Sequence, residues 1–272
     1  NDINNYGQIV GTIGSGTTGS PYTGYTSVAP YTSFTPVPYP RASGIVVTGL
    51  TNTATTPSMA GYVIGPPQLR GTWGAVQISG LWTLIKDRKE GKNAYSVTEI
   101  LGMNDSSFAV GFYTSTTGSN IPVVLSVPTE NFTQLKPPGY TNAEATGIND
   151  ANHITGWEQT AGGISGFYEQ SNTYYTFSYP SSAATEALSI NAQNQVVGYY
   201  KTSGGAKHGF MLTGPTSGNQ QFWQSIDDPN AVNGTFVTGV NDLDDICGYY
   251  IDGSGVQHGF IAVPSGSKLA RL

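Results

Sequence analysis

Apolar residues fall in short runs along this chain. The runs are rich in Val, Ile, Tyr, Phe and Trp, and Gly, Asn, Asp, Ser or Pro stands at their ends, as at 190–201 and 207–213. Such runs predict short β-strands joined by tight turns. No helical period of about 3.6 residues persists in any stretch. The pattern therefore predicts an all-β protein.

One phrase in this pattern recurs: a hydrophobic residue, Asn, four further residues, a hydrophobic residue, any residue, and Gly. Copies lie at 3–11, 103–111, 148–156, 190–198 and 240–248, and a stretched copy fills 50–61. With Thr51 in the Asn position of the stretched copy, positions 4, 51, 104, 149, 191 and 241 are separated by 47, 53, 45, 42 and 50 residues. Self-similarity at such a period indicates a repeat architecture.

Each copy continues in the same order. One or two large residues follow the Gly, then a turn, a second apolar run and an aromatic-led segment, as in 198–226. This order predicts four antiparallel strands per copy, and six four-stranded copies are typical of a six-bladed β-propeller; a five-bladed ring is the alternative. We expect a single propeller domain over 1–272, with approximate repeats at 1–47, 48–100, 101–145, 146–187, 188–236 and 237–272.

The residues of the recurring phrase suggest structural roles. Asn and Asp can bond their own backbone and tolerate left-handed conformations, which suits the first hairpin of each copy. The Gly that follows the second strand's apolar pair is expected to allow close packing between neighbouring sheets.

Composition narrows the classes of partner. Of the 272 residues 10% are charged, 36 are Gly and 17 are Tyr, and the formal net charge is −6 with a pI of about 4.9. An acidic chain without a basic stripe argues against nucleic acid and anionic membranes. No apolar run is long enough to predict a membrane span. Sparse Lys and Glu among many Thr, Asn, Tyr and Gly are common in exported proteins.

The residues of the later copies also carry a family resemblance. The order Pro, Thr, Gly-Ile-Asn-Asp, Ile-Val-Gly-Tyr-Tyr, Gly and His-Gly-Phe, matched best by 180–263, resembles the HAF-repeat family of probable extracellular proteins. The resemblance implies a repeated β-structure and export, most often from bacteria. It implies no catalytic residues.

Histidine and cysteine are the first candidates for chemistry. His208 and His258 occupy one position in successive copies, which favours a structural role for both. No pair of His has the spacing of metal ligands. Cys247 takes a position that Val holds in other copies, so we expect a buried core residue rather than a nucleophile.

Acidic residues raise two further alternatives. Asp242, Asp244 and Asp245 could hold Ca²⁺, although the run lacks the Gly and distal Glu of an EF-hand loop; no other cofactor is expected. A paired-carboxylate glycosidase site could be assembled on one side of a propeller, and its candidate residues are Asp227, Asp228, Asp252 and either Glu158 or Glu169.

The second copy departs most from the repeat, and departures on one face often mark a binding surface. It brings Arg70, Trp73, Arg88 and Lys89 into or beside the loops of one face, a combination that suits an acidic sugar. We predict these residues and Trp157 as ligand-binding. The full set of aromatic residues that could stack on a ligand is Trp73, Trp157, Tyr113, Tyr200 and Tyr250.

These observations favour a secreted, non-enzymatic binding module for a glycan or another extracellular polymer. The alternatives are a glycoside hydrolase or lyase with its site at the central opening of the propeller, and a structural or adhesive repeat that associates with itself. Fold alone does not choose among them, because propellers host all three.

Overall fold

The structure, a computed structural model, describes residues 1–14, 22–39, 44–65, 71–86, 97–216 and 220–265. The chain divides into two compact units, the first ending at Leu135 and the second beginning at Lys136. In both units the strands form antiparallel meanders in which each strand pairs with the next, and we number these meanders 1 to 6 along the chain.

Unit 1 contains meanders 1 to 3, each a four-stranded sheet. Their strands are β1 (Asp2–Ile3), β2 (Ile9–Ile13), β3 (Thr23–Ser27) and β4 (Thr35–Val37); β5 (Gly44–Leu50), β6 (Met59–Ile64), β7 (Thr72–Ile78) and β8 (Leu81–Ile85); and β9 (Thr98–Met103), β10 (Phe108–Thr114), β11 (Asn120–Ser126) and β12 (Asn131–Gln134).

Unit 2 contains meanders 4 to 6, and the last of these has three strands within the part of the chain that the structure describes. The strands are β13 (Asn142–Ile148), β14 (Ile154–Thr160), β15 (Gly163–Gln170) and β16 (Thr173–Phe177); β17 (Ala184–Ile190), β18 (Val196–Lys201), β19 (Lys207–Thr213) and β20 (Phe222–Ile226); and β21 (Thr235–Val240), β22 (Ile246–Ile251) and β23 (Gln257–Ala262).

Meanders 4 and 5 are joined into one eight-stranded sheet by a single parallel pair, Ile164 with Ala184. The same kind of contact occurs in unit 1, where Thr72 at the start of β7 forms a parallel bridge with Val97, just before β9. In both cases the third strand of one meander touches the first strand of the next. The eight-stranded sheet is therefore two four-stranded meanders linked at one residue pair.

Neighbouring meanders of a unit bury their apolar faces against each other. Val47 of meander 2 packs with Val10 of meander 1, and Ile100 of meander 3 packs with Val76 of meander 2. In unit 2, Phe210 of meander 5 shares a cluster with Tyr168 of meander 4. Each sheet thus needs its neighbour to cover it, as stacked repeats do.

The recurring Asn shapes the first hairpin in the copies that carry it. Asn191 is buried, and its Oδ1 accepts hydrogen bonds from the backbone N–H groups of Gln193 (3.1 Å) and Gln195 (2.9 Å). Asn194 in this turn has a left-handed φ of 60°. The same bonds form around Asn4, Asn149 and Asn241. The predicted turn chemistry is confirmed.

The same side chain also reaches the next meander. Nδ2 of Asn4 donates to the carbonyl oxygen of Thr51 (3.1 Å). In unit 2, Nδ2 of Asn149 donates to Asn191 O (2.9 Å), and Nδ2 of Asn191 donates to Asn241 O (3.1 Å). A buried chain of hydrogen bonds therefore links successive hairpins within each unit, which satisfies these amides away from water.

The Gly after the second strand's apolar pair acts differently from the prediction. A Cβ on Gly156 would collide with the carbonyl oxygen of Glu144, and one on Gly198 with that of Glu186. Both carbonyls belong to the first strand of the same sheet, next to a β-bulge. The close approach is thus within a sheet, not between sheets.

The prediction of an all-β, propeller-type arrangement is confirmed. The only helix in the described residues is one 3-10 turn, Val127–Thr129, and none of the described helices is long and apolar enough to cross a membrane. Only four residues precede the turn of the first copy, and its first strand, β1, accordingly has two residues. The sequence of residues 267–272 suits an outermost strand of the last copy, and these residues lie outside the part of the chain that the structure describes.

Candidate ligand-binding site

The structure describes only part of the predicted patch in the second copy. Arg70, Arg88 and Lys89 lie outside the described residues, and Trp73 is described. Trp73 lies on β7 opposite Val63 and packs against the core between meanders 1 and 2. The predicted binding role of this patch stays a prediction.

A basic residue does lie on the face of Trp73. Nζ of Lys86 is 4.2 Å from the centroid of the indole ring, a cation–π contact. The indole Nε1 is buried and has no hydrogen-bond partner. Trp73 therefore has a mainly structural environment, with one face covered by Lys86.

Trp157, the other predicted tryptophan, is half-buried on β14, directly opposite Glu144 on β13. The equivalent cross-strand pair in meander 5 is Glu186 on β17 with Tyr199 on β18. Two successive meanders thus place a carboxylate beside an aromatic ring, both on one face of the sheet.

These pairs belong to a larger group in unit 2. Meander 6 adds Phe236 and Tyr249, which pair across β21 and β22, and Lys207 begins β19. We call this group the aromatic–carboxylate cluster, and its members are Glu144, Trp157, Glu186, Tyr199, Lys207, Phe236 and Tyr249.

Ring contacts join three aromatic members of the cluster, Tyr199, Phe236 and Tyr249. Phe236 and Tyr249 stack with their centroids 4.6 Å apart and their planes 12° apart. Tyr199 meets Phe236 edge to face at 4.8 Å. Aromatic pairs prefer such arrangements, which fix the rings relative to one another. Phe236 is buried, and Tyr199 and Tyr249 are half-buried beside it, so the accessible aromatic surface of this part of the cluster comes from the two tyrosines.

Burial and mutual interaction perturb the titratable groups of the cluster. Burial raises the pKa of the Glu186 carboxyl, against the opposing effects of a hydrogen bond from Tyr199 and the charge of Lys207. Burial also raises the pKa of Tyr199, and the hydrogen bond and charge of Glu186 raise it further. Tyr199 therefore keeps its proton and donates a hydrogen bond to the Glu186 carboxylate. Glu144 is near enough to act on the same hydroxyl.

The carboxylates predicted for a glycosidase do not form this cluster. Glu158 lies on the opposite face of β14, fully buried, and its Oε1 accepts a hydrogen bond from Thr176 (2.8 Å) while Oε2 has no partner. Glu169 is buried and accepts from the backbone N–H of Asn172. Both carboxylates are buried and form hydrogen bonds to residues of meander 4 itself.

Two of the three aspartates of that prediction, Asp227 and Asp252, are partners of the two histidines, whereas Asp228 Oδ1 accepts a hydrogen bond from the backbone N–H of Asn230 (2.8 Å). His208 Nδ1 lies 2.8 Å from Asp227 Oδ1, and His258 Nε2 lies 2.9 Å from Asp252 Oδ2. His208 stacks on Tyr200 and His258 stacks on Tyr250. Each of the two histidines thus contacts an aspartate and a tyrosine of its own meander, which agrees with the predicted structural role.

The candidate calcium residues are used by the first hairpin of meander 6. Asp245 Oδ2 accepts from Asn241 Nδ2 (3.0 Å), and Asp242 Oδ1 accepts from the backbone N–H of Ala192 (2.8 Å). Asp244 takes the left-handed turn position with φ 62°. Among the described residues, no three His, Cys, Asp or Glu are placed to hold a metal ion.

Two other predictions concern burial. Cys247 is a buried thiol on β22, which confirms its expected place in the core. Tyr113 and Tyr200, proposed as exposed stacking residues, are buried; Tyr200 stacks on Tyr179 with centroids 3.6 Å apart. Their expected exposure was wrong.

Sequence reasoning missed most of the cluster. It named Trp157 but not the two glutamates beside the aromatic rings, nor Tyr199, Lys207, Phe236 and Tyr249. A usable signal was present, because the first large residue after the repeated Gly is Trp157, Tyr199 or Tyr249 in three successive copies. It is this first residue, not the second, that faces the glutamates.

No protein-family model and no curated protein matches the chain. Among solved structures it is similar to TolB from Acinetobacter baumannii, with a TM-score of 0.64 and 11% identity over 94% of this chain; the chain spans only 64% of that protein. It is also similar to the fucose-specific lectin from Aleuria aurantia, with a TM-score of 0.53 and 14% identity over 99% of this chain and 100% of the lectin.

A third neighbour is an enzyme, the Trypanosoma rangeli sialidase in complex with the inhibitor DANA. The TM-score is 0.55 and the identity 10%, over 95% of this chain and 53% of the sialidase. At such identities the likeness shows the fold alone, an all-β, propeller-type arrangement.

Proposed function

We propose that this protein is a secreted, glycan-binding β-propeller of six blades, with its binding surface at the aromatic–carboxylate cluster. Export and membership of the HAF-repeat family belong to this proposal. The four-stranded meanders and the recurring Asn hairpins support the count of six blades. An experimental structure that shows five blades, or no closed ring, would contradict it.

The observation that carries the glycan proposal is the repeated pairing of an aromatic ring with a carboxylate, Trp157 with Glu144 and Tyr199 with Glu186. A sugar ring has an apolar face surrounded by hydroxyl groups. An aromatic face covers the former, and a carboxylate accepts hydrogen bonds from the latter. The likeness to a fucose-specific lectin over nearly the full length of both chains supports the same class of ligand.

A glycoside hydrolase at the same cluster is the second candidate function. Burial raises the pKa of Glu186, as a general acid requires, and Glu144 supplies a second carboxylate that acts on Tyr199, the partner of Glu186. Binding and turnover on the same glycans separate the two candidates.

A glycan array, followed by a turnover screen on every glycan that binds, tests the proposal. We expect binding without hydrolysis, and we expect Trp157→Ala to weaken it by about tenfold or more, or about 1.4 kcal/mol. Phe222→Ala is the matched control, since Phe222 is an exposed aromatic residue on the outer strand β20. Equal losses in both variants, or no binding to any glycan, would contradict the proposed site.

A further inference from the structure

The aromatic–carboxylate cluster already holds a cation, which is the side chain of Lys207. Its Nζ lies 5.3 Å from the ring centroid of Phe236 and 5.9 Å from that of Tyr199. Its charge also acts on Glu186. An ammonium group over two aromatic faces and beside a carboxylate is the arrangement by which proteins recognise organic amines.

The backbone around Lys207 makes room for this arrangement. A Cβ at Gly234, which has φ 121°, would lie 3.0 Å from Lys207 Cβ and 3.2 Å from Phe236 Cε2. Only a residue without a side chain fits there. On the other side, Lys201 stands directly opposite Lys207 across β18 and β19. Like charges in such a pair repel, which favours the position of Lys207 over the rings.

The Lys207 side chain is able to leave the cluster. Lys207 is itself half-buried at the end of a strand, on a flexible four-carbon stem. It can therefore turn out into water and leave the aromatic faces and Glu186 to another cation.

We propose that Lys207 occupies the place of a ligand ammonium group, and that the ligand of the cluster is a glycan with free amino groups, such as a polymer of glucosamine. This inference rests on the proposed function and specifies its ligand. A bound amine displaces the Lys207 side chain, lies over Tyr199 and Phe236, and pairs with Glu186. The sugar ring that carries it stacks on the neighbouring aromatic residues.

A matched pair of ligands tests the charge requirement. Fully deacetylated chitohexaose and fully N-acetylated chitohexaose differ only in their amino groups, and calorimetry at a mildly acidic pH keeps the free amines protonated. We expect the deacetylated form to bind at least about tenfold more tightly. Equal binding, or preference for the N-acetylated form, would overturn the inference and leave glycan binding intact.

The direction in which one substitution changes the affinity for the ligand tests the role of Lys207. Lys207→Met empties the cluster of its internal cation, so we expect deacetylated chitohexaose to bind about threefold to tenfold more tightly. Lys201→Met removes the same charge from the opposite residue, which is exposed, and we expect it to leave the affinity within about twofold.

Tighter binding in only the first variant supports displacement. Weaker binding of Lys207→Met, or preference of the wild-type protein for polygalacturonate, would show that Lys207 recognises an anion and would overturn the inference. The ligand comparison uses wild-type protein and so decides the matter even if Lys207→Met fails to fold. Absence of binding to every glycan on the array would instead remove the proposed function itself.

Discussion

The recurring Asn shows how one side chain can serve two sheets. Asn191 accepts two backbone N–H groups of its own turn and donates to the carbonyl oxygen of Asn241 in the next meander. Each atom of the amide is thus committed while the residue is buried. Removal of such a group leaves its partners unsatisfied, which costs more than the net value of each bond.

Asn191→Ala should therefore lower the free energy of unfolding by about 0.5–2 kcal/mol. Chemical denaturation measures this change. Gln193→Ala is the control, because Gln193 is exposed in the same turn and contributes its backbone N–H. Unchanged stability of Asn191→Ala, together with lost glycan binding, would mean that the Asn acts on the ligand.

The buried carboxyl of Glu158 predicts a pH effect. Burial raises its pKa, and the hydrogen bond from Thr176 opposes this only in part. The folded protein therefore holds a proton that the unfolded chain has already released, so stability falls as the pH rises above the ordinary pKa of a glutamic acid.

Glu158→Gln cannot lose this proton. The melting temperature of the Glu158→Gln variant minus that of the wild type should therefore increase as the pH is raised from about 4 to about 7. Thermal denaturation across that range measures the difference, with Glu130→Gln, an exposed residue, as the control. A difference that is the same at every pH would show that Glu158 is charged in the folded state.

Cys247 should be chemically inert in the native protein, since it is buried on β22. We expect a thiol reagent to label it only after denaturant is added. Cys247→Ser should destabilise the protein modestly, because it places a hydroxyl in an apolar position. Rapid labelling of the folded protein would be inconsistent with this burial.

At the scale of the element, the β-bulge in the first strand of meanders 2 to 6 decides which residues meet. The register between β13 and β14 shifts between Ala145 and Gly147, and that between β17 and β18 shifts between Ala187 and Ser189. A bulge inserts one extra residue, so the side chains beyond it point to the opposite face of the sheet from the one they would otherwise take. It is thus the bulge that sets Glu186 opposite Tyr199.

The Gly beside each bulge should be irreplaceable. A Cβ on Gly198 would collide with the Glu186 carbonyl oxygen, so Gly198→Ala should lower the free energy of unfolding by about 1–3 kcal/mol. Gly204→Ala in the following turn is the control, because a Cβ there meets only Thr202 Oγ1, at 3.8 Å. Denaturation curves that coincide for the two variants would refute the assigned role.

Much of the fold follows from the sequence, and most of the candidate site does not. The strand pattern and the Asn turns are local properties, and local chemistry predicts them. The pairing of Glu144 with Trp157 is not local. Counted back from Ile148 without a bulge, Glu144 would lie opposite Glu158. Whether Glu144 lies opposite Trp157 or Glu158 depends on a register shift of one residue, and the alternation of apolar and polar residues does not reveal that shift.

At the scale of the whole molecule, two surfaces remain to be compared, the patch around Trp73 in unit 1 and the cluster in unit 2. Lys86 covers one face of the Trp73 indole ring, and the indole ring packs against the core. We therefore expect Trp73→Ala combined with Arg88→Ala to spare glycan binding that Trp157→Ala weakens. Calorimetry with one glycan on both variants decides between the surfaces, and a loss confined to the double variant would favour the patch.

The hydrogen bonds from Asn4, Asn149 and Asn191 to the next hairpin end on main-chain carbonyl groups, which every amino acid possesses. The Asn4 side chain accordingly donates to the carbonyl oxygen of Thr51, just as the Asn149 side chain donates to the carbonyl oxygen of Asn191. A repeat can thus lose its own Asn and lengthen its hairpin, as the second has done, and still be held by the repeat before it. Gene duplication would yield copies that fit their neighbours at once, and each copy could then diverge without a matching change next door.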